Sequence, residues 1–204
     1  MSENSSPDTG STPQALTDGL DLLALLFRGP DPARWREPLL GVLPGLPGRL
    51  PAGGLAEALA GLAALVPDAA DLAAFCAGLE PVFVALFVNA RGGVAAPPYQ
   101  SCHESDQRRV MGPAARDMAE RLAREGLAPT EPGQMPDHLC IELEYLRLLL
   151  VQGRAAEAAS FAGRVMLPWC ARFAAAVDRA DPQGFFRAAA KVLLAALEAA
   201  ARSA

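Results

Sequence analysis

The residues with the widest range of possible chemistry lie together in the second half of the chain, in the run Met135-Pro136-Asp137-His138-Leu139-Cys140-Ile141-Glu142. Carboxylates, an imidazole and a thiol can bind a metal ion, transfer a proton or hold a cationic ligand. On a helix that begins near Asp137, His138 and Glu142 are four residues apart and share one face, beside the apolar face that packs inward. Asp137 can also cap this helix, and capping is compatible with binding a ligand.

A metal site is one alternative for these residues, and it needs several His, Cys or carboxylate ligands that converge. His138 with Glu142 supplies half of such a site. The other histidine, His103, follows Cys102 in a predicted loop. A metal site of Cys102, His103 and His138 is therefore an alternative, but the cysteines show no CxxC spacing and we predict neither a metal nor another cofactor.

Catalytic signatures are absent from the sequence. It contains no GxSxG, no glycine-rich phosphate loop with GK[ST] and no catalytic cysteine signature. Glu142 and Glu144 would point about 200° apart on a helix, so they cannot act together as acid and base. We therefore predict a binding protein that is not an enzyme.

Composition and charge narrow the class of protein. Hydrophobic residues make up 51% of the chain, mainly as Ala and Leu, which favours helices over sheets. The net charge of -5 disfavours nucleic acid and favours a cationic partner. The most apolar runs, 20–27 and 82–88, are too short to cross a bilayer, and residues 1–14 do not resemble a secretion signal. We expect a cytoplasmic protein with reduced cysteines and no stable membrane insertion.

Glycines and prolines divide the sequence into helical segments, with Asp31-Pro32 as a helix start, Pro81 as a break and Gly126 as a helix end. The predicted helical segments are 17–27, 31–43, 55–66, 69–78, 82–88, 104–125, 137–151, 154–165, 168–177 and 183–202. No strand alternation of useful length appears, so the predicted fold class is all-α.

The predicted organisation has four parts: a disordered tail (1–16), an N-terminal helical lobe (17–127), a Pro-rich hinge loop (128–136) and a C-terminal helical lobe (137–204). Two lobes on such a hinge could exchange between protomers. Monomer and domain-swapped homodimer therefore both remain open.

Tyr99 is a second candidate binding residue. It follows Pro97-Pro98, which restrict the loop, and an aromatic ring on a rigid loop can receive a peptide side chain. A tyrosine in a loop can equally pack over the core. Both interpretations remain open.

Three blocks of the sequence resemble the TorD/DmsD/NarJ family of redox-enzyme maturation chaperones. The most specific is Pro136-Asp137-His138-Leu139 continuing to Glu142-Leu143-Glu144-Tyr145-Leu146. The other blocks are Leu86-Phe87-Val88 with Pro97-Pro98-Tyr99-Gln100-Ser101, and Phe161 with Leu167-Pro168-Trp169 and Phe173. Their order and separation match the family over residues 68–173, whereas residues 1–60 match only in being helical.

The resemblance implies an all-α fold of two helical lobes and a chaperone that binds the twin-arginine leader of a molybdopterin oxidoreductase subunit. Such a chaperone delays export and keeps the apoprotein ready for cofactor insertion. Carried over by motif, the leader pocket would be lined by Leu86, Phe87, Pro98, Tyr99, Ser101, Asp137, His138 and Glu142. We expect Asp137 and Glu142 to contact the leader's arginines, and the region of Leu86, Phe87 and Tyr99 to receive its apolar part.

Two positions depart from the family pattern. Cys102-His103 stands where many members have Val-Tyr, and Tyr99 stands where several have Trp. The sequence does not identify the client enzyme. A helical interaction module with an unrelated client is the alternative function.

Overall fold

The computed structural model describes residues 11–104, 111–128 and 134–203, and these residues form an all-α fold, as predicted. Within the described ranges, one isolated antiparallel β-bridge pairs Tyr99 with His138. The α-helices are α1 (Ser11–Leu26), α2 (Pro32–Glu37), α3 (Gly54–Ala63), α4 (Leu72–Phe83), α5 (Ser101–Glu104), α6 (Pro113–Arg124), α7 (Leu139–Val151), α8 (Ala155–Ser160), α9 (Leu167–Ala180) and α10 (Phe185–Ala201). Short 3-10 turns, Leu43–Gly45 and Pro47–Arg49, and π-helical turns, Pro38–Val42, Val84–Val88 and Phe161–Met166, extend or join them.

The core lies around α1, α7 and α10. α1 packs against α7 and α10, and α10 also packs against α3 and α9. Helices on both sides of the predicted hinge therefore share one cluster of buried apolar side chains. The division into two lobes stays a prediction, and residues 129–133 of the predicted hinge lie outside the described residues. No helix in the described ranges is long and apolar enough to cross a membrane.

The local capping signal at Asp31 predicts the start of α2 correctly. The Asp31 side chain accepts hydrogen bonds from the backbone N–H groups of Ala33 (2.9 Å) and Arg34 (3.2 Å), and Pro32 occupies the first position of α2. Asp31 satisfies donors that would otherwise have no intrahelical partner. α1 begins at Ser11, earlier than the predicted start at residue 17, because Ala15 and Leu16 are buried against the core. Residues 1–10 of the predicted tail lie outside the described residues.

Pro81 does not interrupt its helix, and this prediction was wrong. α4 runs through Pro81 and continues as the π-helical turn Val84–Val88. A proline inside a helix removes one backbone donor and costs about 3 kcal/mol. Apolar residues on both sides of it, including Leu79 and Leu86, are buried in the core. Tertiary packing therefore overrides the local break.

The segment predicted as one helix, 104–125, contains a break, and its residues 105–110 lie outside the described residues. Met111 has a φ of 64°, in the left-handed region, and α6 starts only after Gly112. The Gly112 N–H donates to Ser101 Oγ at 3.2 Å, and a Cβ on Gly112 would lie 3.3 Å from Ser101 Cβ. A side chain at position 112 would therefore require Ser101 to shift, which favours glycine there.

Candidate functional site

A cleft of about 660 Å³ opens where the loop before α5 meets the start of α7. Most of its surface is aromatic or aliphatic. The lining residues are Phe27, Arg28, Phe83, Phe87, Val88, Gly92, Gly93, Val94, Pro97, Pro98, Tyr99, Cys102 and His138. The predicted site residues Phe87, Pro98, Tyr99 and His138 therefore come together on one surface.

Phe87 belongs to a layer of aromatic rings beneath the cleft. Its ring centroid lies 5.7 Å from that of Phe27 and 5.3 Å from that of Phe83, both in edge-to-face arrangements. Such pairs stabilise a packed layer beyond their simple burial. Leu86, the predicted neighbour of Phe87, is buried and does not line the cleft.

Backbone hydrogen bonds join the loop 97–101 to the segment that starts α7. The bonds run from the Gln100 N–H to the Asp137 carbonyl oxygen (3.0 Å) and from the Leu139 N–H to the Pro98 carbonyl oxygen (2.9 Å). Tyr99 and His138 form the bridge between them, and their ring centroids are 5.0 Å apart in an edge-to-face arrangement. The pairing sets the position of both rings at the edge of the cleft.

The buried Asp137 side chain stabilises this junction between the loop 97–101 and the start of α7. Its Oδ2 accepts from the Ser101 backbone N–H at 2.9 Å and from the Ser101 hydroxyl, and Ser101 Oγ in turn accepts from the Gly112 N–H. Asp137 and Ser101 are both buried, and Asp137 Oδ1 has no hydrogen-bond partner among the described residues. The Asp137 carboxyl group therefore connects three segments of the chain.

His138, rather than Asp137, caps α7. Its Nδ1 accepts from the Cys140 N–H at 3.1 Å, so the capping role expected of Asp137 belongs to the next residue. Burial lowers the pKa of His138 to about 4, helped by the positive charge of Arg28 and opposed by Asp137. Because Nδ1 is the acceptor, the neutral ring carries its proton on Nε2.

Glu142 lies in the core behind the junction. Its side chain is fully buried, and Oε2 accepts a hydrogen bond from Trp169 Nε1 at 3.0 Å. Burial raises the pKa of Glu142 well above its usual range, and the carboxyl groups of Asp137 and Glu104 raise it further. The Trp169 bond and Arg121 oppose that shift. The environment therefore favours the protonated, uncharged form.

Replacing Glu142 by glutamine is expected to stabilise the protein increasingly as the pH rises. The wild-type carboxyl has a raised pKa when folded, so the unfolded chain ionises first and stability is lost as the pH rises through the folded-state pKa. Glutamine keeps an acceptor for Trp169 and does not ionise. Urea denaturation should show similar stabilities at about pH 5, within about 1 kcal/mol, and a more stable variant at about pH 8.

The control for this prediction is Glu157→Gln, which changes an exposed carboxyl group on α8. It should not reproduce the growing difference in stability with pH. A Glu142→Gln variant that follows the wild type at every pH would show that Glu142 is ionised in the folded protein.

The proposed metal ligands do not form a metal site in the described part of the chain. No group of three or more His, Cys, Asp or Glu residues there is arranged to hold a metal ion. His103 Nε2 lies 2.7 Å from the Pro97 carbonyl oxygen, and the His103 ring stacks on Trp169. These contacts give His103 a structural role next to the cleft.

Four of the predicted site residues lie behind the cleft wall instead of lining it: Leu86, Ser101, Asp137 and Glu142. The sequence interpretation missed Arg28, whose side chain lines the cleft and forms an ion pair with Glu144 on α7. Arg28 and Glu144 are 116 residues apart in sequence. No local pattern could have paired them.

A second cavity, of about 750 Å³, lies elsewhere on the surface. Residues near the start of α1, the start of α3 and the ends of α7 and α10 line it, among them Gln14, Leu55, Val151 and Arg202. None of the predicted site residues lines this cavity. The exposed apolar side chain of Val151 gives a reference position for experiments on the cleft.

Comparison with known proteins identifies the family. No curated protein matches the chain. One solved structure, a protein from Archaeoglobus fulgidus described as a redox enzyme maturation protein, has a similar fold, with a TM-score of 0.59, 23% identity and coverage of 89% of this chain and 93% of that chain. The model of the nitrate reductase delta subunit family matches residues 50–175, which include the start of α7 and all of the cleft-lining residues except Phe27 and Arg28. The chain therefore belongs to the nitrate reductase delta subunit family, whose members are maturation chaperones of the NarJ/TorD type.

Proposed function

We propose that this protein is a cytoplasmic chaperone that binds the twin-arginine leader and the apoprotein of a molybdopterin oxidoreductase subunit, and supports cofactor insertion before export. One observation carries the proposal. The loop 97–101 and the start of α7, which contain the residues that resemble the family motifs, meet at an open and mostly apolar cleft. An apolar peptide segment can bury its side chains there.

The site supports binding in preference to catalysis. Asp137 and Glu142, the two carboxyl groups among the predicted site residues, are fully buried and make hydrogen bonds that hold the structure together. A general acid or base must reach its substrate, and neither group reaches the cleft surface. The role that fits this arrangement is non-enzymatic.

Contact of Asp137 and Glu142 with the leader's arginines stays a prediction. Both carboxyl groups lie behind the cleft wall, so a guanidinium would reach them only if the junction between the loop 97–101 and α7 opened. The apolar part of the leader needs no such opening, because Val88, Phe87 and Tyr99 already line the cleft.

Replacing Val88 by aspartate is expected to weaken leader binding by about tenfold or more, because a charged group would be desolvated beneath the apolar peptide. Val88 is 58% exposed, so the change should leave the fold intact. The probe is a synthetic peptide with two adjacent arginines followed by roughly ten apolar residues, copied from a molybdoenzyme subunit of the same genome. Calorimetric titration of the full chain measures the affinity.

The matched control is Val151→Asp, because Val151 is 62% exposed and lines the other cavity. It should bind the leader peptide as the wild type does. Equal loss in both variants would place the binding surface elsewhere. Failure of the wild-type chain to bind any such leader would favour the helical interaction module with an unrelated client.

A further inference from the structure

Each of the polar side chains Arg28, Tyr99 and His138 that line the cleft can donate a hydrogen bond. Arg28 presents a guanidinium at its edge, and the neutral His138 ring carries a proton on Nε2, since Nδ1 caps α7. Among the described residues, no Asp or Glu side chain lines this cleft. A ligand that fits must therefore supply acceptors as well as apolar surface.

Arg28 is held at the edge of the cleft by Glu144. Their ion pair joins the turn that follows α1 to α7, and the Arg28 side chain remains 45% exposed. A guanidinium has five N–H donors, of which one carboxylate takes at most two. Donors therefore remain for a ligand, and Glu144 keeps the side chain close to where a ligand would lie.

Arg28 and His138 form one edge of the cleft. Both line the same surface, and the positive charge of Arg28 contributes to the lowered pKa of His138. The aromatic layer of Phe27, Phe83 and Phe87 lies beside them. An apolar surface with donors along one edge matches a peptide, whose carbonyl oxygens need new donors once water is displaced.

We propose that Arg28 and the Nε2–H of His138 donate hydrogen bonds to backbone carbonyl oxygens of the bound segment while its apolar side chains fill the cleft. This inference rests on the proposed function and specifies how the leader is held. It also implies that the apolar stretch and the twin arginines of the leader bind in different places, because a positively charged Arg28 disfavours arginines inside the cleft. The twin arginines are then bound outside it.

The test compares Arg28→Met with the matched variant Arg147→Met. Arg147 lies on α7, is 41% exposed and forms the same kind of ion pair, with Asp21 at 2.7 Å, but does not line the cleft. Methionine keeps the apolar stem and removes the donors. Leader-peptide affinity, measured by calorimetry, should fall roughly tenfold in Arg28→Met and change less than about twofold in Arg147→Met.

Backbone chemistry identifies the acceptor. Leader peptides in which single amides are replaced by esters have weakened carbonyl acceptors, and one such change in the apolar stretch should weaken binding to the wild type but not to Arg28→Met. Replacing Asp or Glu side chains of the peptide by Asn or Gln should have no such effect. If these side-chain changes remove the dependence of binding on Arg28 and the backbone esters do not, the acceptor is a carboxylate and the proposal is wrong.

Unchanged or tighter binding by Arg28→Met, with normal binding by the wild type, would overturn this inference and leave the proposed function intact. Loss of binding by the wild type itself would overturn both. Arg28→Lys separates charge from geometry, since lysine keeps the charge without the planar fork, and it should recover only part of the affinity.

Discussion

Replacing Asp137 by alanine is expected to lower the free energy of unfolding by about 3 kcal/mol and to abolish leader binding. The Asp137 carboxyl group accepts two hydrogen bonds from Ser101, through its backbone N–H and its hydroxyl, in a buried position. Alanine would leave those donors without an acceptor. The loop 97–101 would then lose its connection to α7, and Tyr99 would leave the edge of the cleft.

Urea denaturation followed by far-ultraviolet circular dichroism measures the stability, and calorimetric titration measures leader binding. Asp137→Asn is the control, because its side-chain oxygen can still accept from Ser101 and the shape is kept. It should cost about 1 kcal/mol or less. A loss below about 1 kcal/mol in Asp137→Ala would show that this carboxyl group does not hold the junction.

The double variant Asp137→Ala/Ser101→Ala tests whether the two residues act together. If they act through the contact seen in the structure, the double variant should be destabilised by less than the sum of the single variants. Additive losses would mean that each residue acts through separate contacts.

Acid is expected to destabilise the protein through His138, by up to about 3 kcal/mol. The pKa of this imidazole falls from 6.5 in the unfolded chain to about 4 in the folded protein. The unfolded state therefore binds a proton first as the pH falls. The contribution of His138 is complete above pH 6.5 and is lost progressively between the two pKa values.

The reference variant is His138→Asn, since asparagine can accept the Cys140 N–H at the helix start and does not titrate. The difference in unfolding free energy between wild type and variant should decrease as the pH falls from about 7 to about 4, because titrations common to both proteins cancel. A difference that stays constant over this range would show that the folded His138 titrates normally. Nuclear magnetic resonance of the His138 ring protons measures the pKa directly.

A change in pH acts on the stability contributions of His138 and Glu142 in opposite directions. The lowered pKa of His138 costs stability as the pH falls below 6.5, whereas the raised pKa of Glu142 costs stability as the pH rises above 4.5. The two effects oppose each other between these values, and each acts alone outside them. The protein is therefore expected to be most stable at intermediate pH.

The amino-acid sequence by itself determined the all-α class, the start of α2 and the family. Capping depends on residues within one helical turn, so Asp31 and Pro32 could be interpreted locally. The family follows from the order of short motifs, and the family model matches a region that contains all three blocks of the resemblance.

Only the tertiary structure decided which of the motif residues reach the surface. By its spacing, Glu142 shares a helix face with His138, but its carboxyl group is buried against Trp169 and does not line the cleft. Tertiary packing also explains why α4 continues through Pro81, because side chains before and after the proline are buried in one core. Arg28 is held at the cleft by an ion pair with Glu144 on α7, which is distant in sequence. Burial and long-range pairing depend on what packs across from a residue, and no local sequence pattern contains that information.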